Sequence, residues 1–436
     1  MNCELSEEQE MLKTMARDFL EKECPESFVR EMEEDDDGLS LEMWHKVADL
    51  GWLGLVYPEE YGGTEGNILD LAVLHEEMGR AMLPSPYLST VVLCGLTILN
   101  AGSEEQKADL LPKIVSGDLI LSLALTEPEF SWDSRAWEPE GITARATPDG
   151  DDYIIDGSKL FVHDAHIADY LLCVARTKDE GKPEEGITLF LVDATSPGIN
   201  ITLLRTFTGD KQSEVIFDKV RIPKKNMVEE LNGGWSPLSR VLQVGAVMLC
   251  AEMVGAGQRM VELTVDYAKT RIAFDLPIGV NQYVQEHCVS ALGDVEGSRW
   301  VTFQAAWKLS EGLPCDFEVA LAKAWTSEAN ERYCCRCHQV FSGVGTLLDD
   351  GVLPLYTRRG KSKQLYLGDA SYHLKKVADE VVKWPPLEKP KGKPLGIFDV
   401  NLLEEEQVPA WEPWRERYEK IEQRKAERRA KKSQSK

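Results

Sequence analysis

The sequence predicts an α+β protein that is mainly helical, with three domains in the order helical, β, helical. Two changes of hydrophobic pattern along the 436 residues support this prediction. Apolar residues follow the 3.6-residue period of helices up to about residue 120, and short alternating runs separated by turn residues follow. We therefore expect an N-terminal helical domain over 1–120, a central antiparallel β-domain of barrel or sandwich type over 121–230, and a C-terminal four-helix-bundle domain over 231–385.

The N-terminal segment contains a clear helix start. Ser6 is followed three residues later by Gln9, which is the capping-box pattern, and apolar residues at helical spacing run from Met11 to Leu20. Further helices are predicted over 66–82, 85–102 and 104–116.

The central segment reads as strands because turn signals such as Asp156-Gly157 separate its apolar runs, and it ends near Pro223. After it, the stretch 236–270 is apolar on more than one face. A helix of this kind is buried in a core or in a subunit interface, so we expect a dimer or tetramer. Two further long helices are predicted over 282–311 and 316–341.

The remaining chain, 386–436, is predicted to be a Pro/Lys/Gly linker followed by a charged tail. The whole protein has a formal net charge of -25, which makes nucleic acid and anionic membranes poor partners. No run of about 18 apolar residues predicts a membrane span. Because the first residues lack the pattern of a signal or transit peptide, we expect a cytoplasmic protein.

The ten cysteines are scattered, which favours free thiols in a reducing compartment. One cluster, Cys334, Cys335 and Cys337 with His338, raises the alternative of a metal site. A structural zinc needs four ligands, and no second Cys/His pair lies at finger-like spacing. We therefore predict a helix with small thiol side chains and no metal.

Several local strings occur in a fixed order along the chain. They are Leu5–Gln9, Gly51–Leu55, Pro58–Gly63, Ala124–Pro128, Ile155–Val162, Phe217–Pro223, Tyr267–Phe274 and Gln339–Gly345. In this order and spacing they resemble the acyl-CoA dehydrogenase family over residues 4 to about 380. The nucleotide-binding patterns G-x-G-x-x-G and G-x-x-x-x-G-K-[ST] have no support in the sequence.

The resemblance implies FAD as the cofactor. A flavin needs an aromatic or apolar wall and hydrogen-bond donors at its polar edge, and its pyrophosphate needs cationic or amide groups. Thr126 and Phe161 match the family's ring contacts, and Arg271 matches the residue that pairs with the pyrophosphate. The other candidates for cofactor binding are His163, Phe274, Gln282, Gln339 and Gly343.

The resemblance also implies a reaction. A carboxylate removes the α-proton of an acyl-CoA thioester while flavin N5 takes the β-hydride, and a backbone N–H and a ribityl hydroxyl hold the thioester carbonyl. The electrons then pass to an electron-transfer flavoprotein. The implied partners are therefore an acyl-CoA substrate, an electron-transfer flavoprotein and further subunits.

The sequence departs from the family at the base. Leu367 stands where the family usually has its catalytic glutamate, and Gly245 stands at the alternative position on a long helix. Neither residue can take a proton. Asp369, Glu252 and Glu129 are the other carboxylates considered for this role.

Two further departures concern the cofactor. Trp132 replaces a serine that touches the pyrophosphate in the family, and it could stack on the cofactor or displace part of it. His163 replaces a flavin-edge threonine, and it could donate to the flavin or act as an acid. Core-filling and surface roles for both residues stay open.

Three explanations of the missing base follow. A different carboxylate could serve, or the acyl group could be cyclic, branched or otherwise unusual. The third explanation is a hetero-oligomer in which a homologous subunit has the base, and Arg271, Phe274, Gln282 and Gln339 clamp that subunit's FAD. We expect α,β-dehydrogenation of an acyl-CoA as the function, with a non-catalytic or half-site subunit as the first alternative and a flavin-free binding protein as the second.

Overall fold

The computed structural model describes residues 5–131, 133–348 and 351–384. The predicted linker and tail over 386–436, and Trp132, lie outside these residues. Up to Lys383 the described chain forms one compact unit. It is mostly helical around a central sheet, so the predicted fold class is confirmed.

The N-terminal part is helical, and its first helix begins at the predicted capping box of Ser6 and Gln9. One stretch, Leu88–Gly95, is wound as a π-helix. The Tyr57 hydroxyl is inserted against it and donates to the Val91 carbonyl at 2.6 Å, which accounts for the widened turn. The α-helices here are α1 (Glu7–Glu23), α2 (Glu26–Glu34), α3 (Leu41–Asp49), α4 (Ile68–Ala81), α5 (Leu96–Ala101) and α6 (Glu104–Val115).

The central sheet has the strand order β6-β7-β3-β2-β4-β5-β8, with β1 paired to β4. The strands are β1 (Leu121–Ala124), β2 (Arg145–Asp149), β3 (Asp152–His163), β4 (Tyr170–Arg176), β5 (Ile187–Asp193), β6 (Ile199–Leu204), β7 (Gln212–Pro223) and β8 (Met227–Val228). Most neighbours are antiparallel, as predicted, but β1 and β2 each pair with β4 in parallel, so the sheet is mixed. Long connections between β1 or β2 and β4 permit this arrangement.

The C-terminal part is again helical, and α7 matches the predicted apolar stretch. Its elements are α7 (Trp235–Thr270), a small hairpin of β9 (Ile272–Ala273) and β10 (Leu276–Pro277), α8 (Gln282–Ser310), α9 (Asp316–Phe341), α10 (Val352–Leu365) and α11 (Ala370–Val381). Helices α7 to α10 pack as a four-helix group, and α11 packs on α9. By length and composition α7 could span a membrane, but 72% of its most apolar window is buried in the protein, as in the core helix of a globular fold.

Helices α4 and α7 approach each other closely. A Cβ added at Gly79 would overlap the Glu252 backbone, and one added at Gly255 would overlap the Glu76 carbonyl. Glycines at both positions therefore permit the crossing, which places α7 between the N-terminal helices and the other helices of the C-terminal bundle.

The cysteines show no disulfide among the described residues: nine are free, and seven of these are buried. The helix predicted over the 334–338 cluster belongs to α9. Within the part of the chain that the structure describes, no group of three potential ligands could hold a metal ion.

Candidate active site

The turn between α10 and α11, residues 366–369, contains the position of the missing base. Leu367 has a φ of +59°, a left-handed conformation that is unusual for leucine, and its side chain is buried. A Cβ added at Gly245 would lie 2.8 Å from Leu367 Cδ1 and 2.7 Å from Leu93 Cδ2. Gly245 and Leu367, the two positions where the family resemblance implies a catalytic acid, therefore face each other, and apolar atoms occupy the space between them.

Lys323 holds the 366–369 turn in place. Its fully buried ammonium group donates to the carbonyls of Lys363, Gln364 and Gly368 at 2.8, 2.9 and 2.9 Å. Two of these carbonyls belong to the last turn of α10, which has no intrahelical donors for them. Burial lowers the pKa of Lys323 to about 8.

His373 completes the support of this turn. Its Nε2 donates to the Leu367 carbonyl at 2.9 Å, while Nδ1 is buried and has no partner among the described residues. Burial, and then the nearby charge of Lys323, lower the pKa of His373 to about 3, so the imidazole is neutral. Neither Lys323 nor His373 was predicted from the sequence. A lysine inside the otherwise apolar string Val319–Ala324 was the available signal for Lys323.

Glu252 is engaged away from Leu367. Its carboxylate pairs with Lys363 and lies 2.9 Å from His75 Nδ1. Burial alone would raise its pKa, but the Lys363 charge and the His75 bond outweigh burial and lower the pKa to about 2. A carboxylate held this way is a weak base, and its role is that of a buried ion-pair partner of α10 and α4.

The other two candidate acids are exposed. Asp369 caps α11 by accepting a hydrogen bond from the Tyr372 backbone N–H at 2.8 Å. Glu129 lies in the short 3-10 turn Pro128–Phe130. No contact of the described residues brings Asp369, Glu129 or Glu252 to the Leu367 side chain.

The β-domain places Thr126, Phe161 and His163 near one another, at the end of β3. Thr126 is buried just after β1, and its carbonyl accepts from the Leu160 backbone N–H at 2.8 Å. Phe161 has a φ of +57°, which interrupts the regular pleat near the end of β3. These contacts place the three predicted ring-contacting residues in one region.

The His163 imidazole is already engaged by the protein. Nε2 lies 3.1 Å from an Asp210 carboxylate oxygen, and the ring centroid is 4.0 Å from that of Tyr366. Asp210 also accepts from Ser362 of α10 at 2.5 Å and from Gln212 at 2.6 Å. Burial would raise the pKa of Asp210, but its bonds to His163 and its other donors lower it. This carboxylate therefore ties the β-domain to α10.

A buried ion pair supports Thr126 from behind. Lys159 Nζ lies 2.7 Å from Glu127 Oε1 and 3.1 Å from the Leu125 carbonyl. Glu127 also accepts from the backbone N–H groups of Thr143 and Ala144 at 2.8 and 2.9 Å. Both charges are paired and hydrogen-bonded, as buried charges must be. This ion pair was also not predicted from the sequence.

Two cavities flank the 366–369 turn. An outer cavity of about 410 Å³ lies against Leu367, Trp137, Trp235 and Ala246. An inner cavity of about 120 Å³ lies against Tyr366, His163, Leu249 and Glu252. Helix α7 thus lines the outer cavity up to Ala246 and the inner cavity from Leu249, one turn further on.

The other predicted cofactor residues form a separate group, which we call the outer set: Arg271, Phe274, Gln282, Gln339 and Gly343. All five are exposed, and Phe274 is fully so. The Tyr267 and Phe341 rings, stacked at 4.1 Å, join the ends of α7 and α9 that carry this set. At 1.5 Å per residue, Arg271 lies about 39 Å along the helix from Gly245. The outer set and the cleft at Leu367 therefore belong to different sites.

Comparison with known proteins agrees with this architecture. The N-terminal, middle and C-terminal domain models described as "Acyl-CoA dehydrogenase" match residues 6–118, 122–220 and 232–382. The chain belongs to the acyl-CoA dehydrogenase family. Members of this family are FAD-dependent oxidoreductases that act on CH–CH bonds.

Two curated relatives illustrate the similarity. A probable acyl-CoA dehydrogenase of Bacillus subtilis, YngJ, is 30% identical over 361 residues, which cover 81% of this chain and 92% of that protein. The CarC subunit of a caffeyl-CoA reductase-Etf complex of Acetobacterium woodii is 29% identical over 356 residues, which cover 80% and 92% of the two chains.

Solved structures of family members are also similar. Butyryl-CoA dehydrogenase from Megasphaera elsdenii has a TM-score of 0.80 at 26% identity and covers 88% of this chain and 100% of its own. The ChsE4-ChsE5 complex from Mycobacterium tuberculosis has a TM-score of 0.79 at 27% identity, with coverage of 88% and 100%. The FAD complex of PigA has a TM-score of 0.79 at 25% identity, with coverage of 88% and 99%.

The residues of the outer set fit the phosphate and adenosine half of FAD. The Arg271 guanidinium and the Gln282 and Gln339 amides make no hydrogen bond or ion pair with the described residues. A Cβ at Gly343 would meet nothing within 4 Å, so its backbone is open to close approach. At the β-domain edge Thr126 and Phe161 fit a ring wall, whereas the His163 Nε2 is committed to Asp210.

Proposed function

We propose that the chain is a half-site subunit of a hetero-oligomeric acyl-CoA dehydrogenase. In this assembly the outer set helps to hold FAD in the site of a homologous subunit, which carries the catalytic carboxylate. The observation that carries the proposal is the contact of Leu367 and Leu93 at Gly245, where the reaction requires an acid.

The absence of a base is the first support. Proton abstraction needs a group within hydrogen-bond reach of the α-carbon. Leu367 and Gly245 face each other without a carboxylate, and Glu252 is held by Lys363 and His75. The bonds of Lys323 and His373 to the carbonyls of this turn, and the capping of α11 by Asp369, favour a turn that does not bring Asp369 to the base position.

The separation of the outer set is the second support. The cationic and amide donors of the outer set have no partner in the described chain, and Phe274 beside them is fully exposed. Such a surface is typical of one that a second chain covers. FAD, when bound, supplies the acceptor for the hydride of the β-carbon. Arg271 would pair with its phosphates in two parallel hydrogen bonds, and Gln282 and Gln339 would donate amide hydrogen bonds.

A stand-alone enzyme is the second candidate. Its support is the outer cavity of about 410 Å³ beside Leu367, which is large enough for part of a CoA thioester. It would dehydrogenate an acyl group, including a cyclic or branched one, at its own cleft. For both candidates we propose an electron-transfer flavoprotein as the electron acceptor, supported by the Etf complex of the CarC relative, and a cytoplasmic location.

Purification distinguishes the two candidates. The full-length chain is expressed alone and together with a homologous chain that has glutamate at the position equivalent to Leu367. The half-site proposal expects a flavin-free product from the first expression and a yellow hetero-oligomer from the second, measured by absorbance at the flavin bands per mole of protein. A yellow homo-oligomer that short-chain acyl-CoA bleaches anaerobically would contradict it.

Arg271→Ala in this chain tests the outer set within the hetero-oligomer. We expect flavin content to fall at least about tenfold, since a charge-assisted bidentate contact is lost. Arg221→Ala is the matched control: Arg221 is also an exposed arginine, and its ion-pair partners in the described part of the chain are Asp149 and Asp152 on the β-domain. Equal flavin content in both variants would remove the outer set from the cofactor site.

A further inference from the structure

The outer cavity is elongated along α11. This helix contributes lining residues from Tyr372 to Glu380, which are about 12 Å apart along the helix axis. The facing walls come from α7, from α9 and from the short turn that ends at Trp137. A volume of about 410 Å³ lies within the range of small-molecule sites. The cavity is therefore long enough for a molecule with two chemically different ends.

The end of the cavity near Leu367 is aromatic and contains a cation of the chain itself. The Lys376 ammonium group lies 4.5 Å from the centre of the Tyr372 ring and 2.9 Å from a Glu138 carboxylate oxygen. The Tyr372 hydroxyl donates to the same carboxylate at 2.5 Å. An aromatic face and a carboxylate together attract an ammonium ion. The Glu138 charge is thus neutralised, and the rest of this end, at Trp137 and Leu367, is apolar.

The other end has more negative charge than the chain neutralises. Glu380 pairs with Lys383 at 2.5 Å, and this bond contributes most to raising the pKa of Lys383. The charges of Asp379 and Asp316 raise that pKa further, so both aspartates lie near the same ammonium group. Neither aspartate forms an ion pair with the described residues, and Asp316 accepts a 2.7 Å hydrogen bond from the neutral Gln243 amide. Three carboxylates therefore share one cation.

We propose that the outer cavity binds an aromatic amine in its protonated form, with the ammonium group about 10 Å from the far edge of the ring system. The ammonium group lies at Asp316 and Asp379, and the aromatic body packs against Trp137, Ala246 and Leu367. Over the whole lining four carboxylates face two lysines, and this excess of negative charge favours a cation over an anion. The proposal goes beyond the half-site function, because binding of the amine requires neither flavin nor a second subunit.

Three probes that share an indole ring and differ in the charge of the side chain test this proposal: tryptamine, tryptophol and indolepropionate. Each is titrated into the full-length chain by isothermal calorimetry at pH 7. We expect the cationic tryptamine to bind at least about fivefold more tightly than the neutral tryptophol, because only its charge meets the two aspartates. The anionic indolepropionate should bind most weakly. Added salt should weaken the binding of tryptamine and leave that of tryptophol unchanged.

Asp379→Asn removes one of the two aspartate charges from an exposed position of α11. Tryptamine should bind this variant about threefold more weakly than the wild type, whereas the Kd of tryptophol should stay the same. Asp109→Asn is the matched control, because it removes one exposed charge from α6 and Asp109 lines neither cavity. It should leave both Kd values unchanged.

The proposal is overturned if tryptamine does not bind, or if tryptophol or indolepropionate binds as tightly as tryptamine. Equal Kd values of tryptamine for Asp379→Asn and Asp109→Asn would also overturn it, since the effect would then come from the net charge of the protein. These titrations measure neither flavin content nor turnover. Their failure is therefore distinguishable from a failure of the half-site proposal.

Discussion

The Leu367 carbonyl accepts a 2.9 Å hydrogen bond from His373 Nε2, which fixes the imidazole as a neutral donor in the interior. The folded pKa of His373 is lowered to about 3 by burial and by the Lys323 charge, from an ordinary value of 6.5. The unfolded chain therefore takes up the proton first as the pH falls. Stability from this group is complete above pH 6.5 and is lost progressively between pH 6.5 and 3.

We expect this linkage to remove about 2 kcal/mol of unfolding free energy between pH 7 and pH 5. His373→Gln keeps a donor for the Leu367 carbonyl but cannot titrate. Urea unfolding of both proteins at pH 7 and pH 5 measures the difference, and the variant should lose about 2 kcal/mol less than the wild type. An identical loss of unfolding free energy in the two proteins would contradict the assignment of this pH dependence to His373.

Lys323→Met should destabilise the protein by about 3–5 kcal/mol, because three buried carbonyls lose a charged donor. Tyr333→Phe is a matched control on α9. It removes the buried hydroxyl that donates to the Met253 carbonyl at 2.8 Å, without touching the 366–369 turn. We expect about 1–2 kcal/mol for the control in the same urea experiment. A smaller loss of unfolding free energy for Lys323→Met than for the control would be inconsistent with the role of Lys323 in holding the 366–369 turn.

Glu252→Gln should lower the unfolding free energy by about 3 kcal/mol, since Lys363 is left without its partner in a largely buried site. It should leave the flavin content of the hetero-oligomer unchanged. Asp109→Asn is the control, because Asp109 forms an exposed ion pair with Lys113. We expect this control to lose less than about 1 kcal/mol of unfolding free energy. If Glu252 were instead the catalytic base, the variant would abolish turnover of the assembled enzyme.

Gly255→Ala should destabilise by at least about 2 kcal/mol, because the added methyl group meets the Glu76 backbone where α4 crosses α7. Gly293→Ala is the natural comparison. Gly293 lies within α8 with nothing inside 4 Å of its added Cβ, so alanine should stabilise that helix by up to about 1 kcal/mol. Thermal unfolding of the two variants should shift the midpoint in opposite directions, and a shift of the same sign would argue against the close crossing.

The fold was largely predictable because its signals are local. The capping box at Ser6 and the apolar stretch that became α7 each depend on neighbouring residues. The turn predicted at Asp156-Gly157 was wrong, because both residues lie inside β3, where the pairing with β7 has a β-bulge and Gly157 has a φ of +151°. The parallel pairing of β1 with β4 was not predicted, since strand alternation does not specify the partner or its direction.

The site was predictable only in part. The positions of Leu367 and Gly245 followed from their place in family strings, and the structure brings them together. Leu93 was not foreseen, because its contact depends on a π-helical turn and on a partner far away in the chain. Lys323 sits in a string that gives no local indication of which carbonyls its ammonium would meet.

Helix α7 joins the cleft at Gly245 to the outer set at Arg271 without interruption. A single residue inserted between them would turn one end by about 100° relative to the other. Gly245 would then present a different face to Leu367, or Arg271 would point away from its neighbours. We infer that the two ends of α7 are constrained to change together in evolution. Insertions and deletions within the 26 residue steps from Gly245 to Arg271 should therefore be excluded, even where the side chains between them can be replaced.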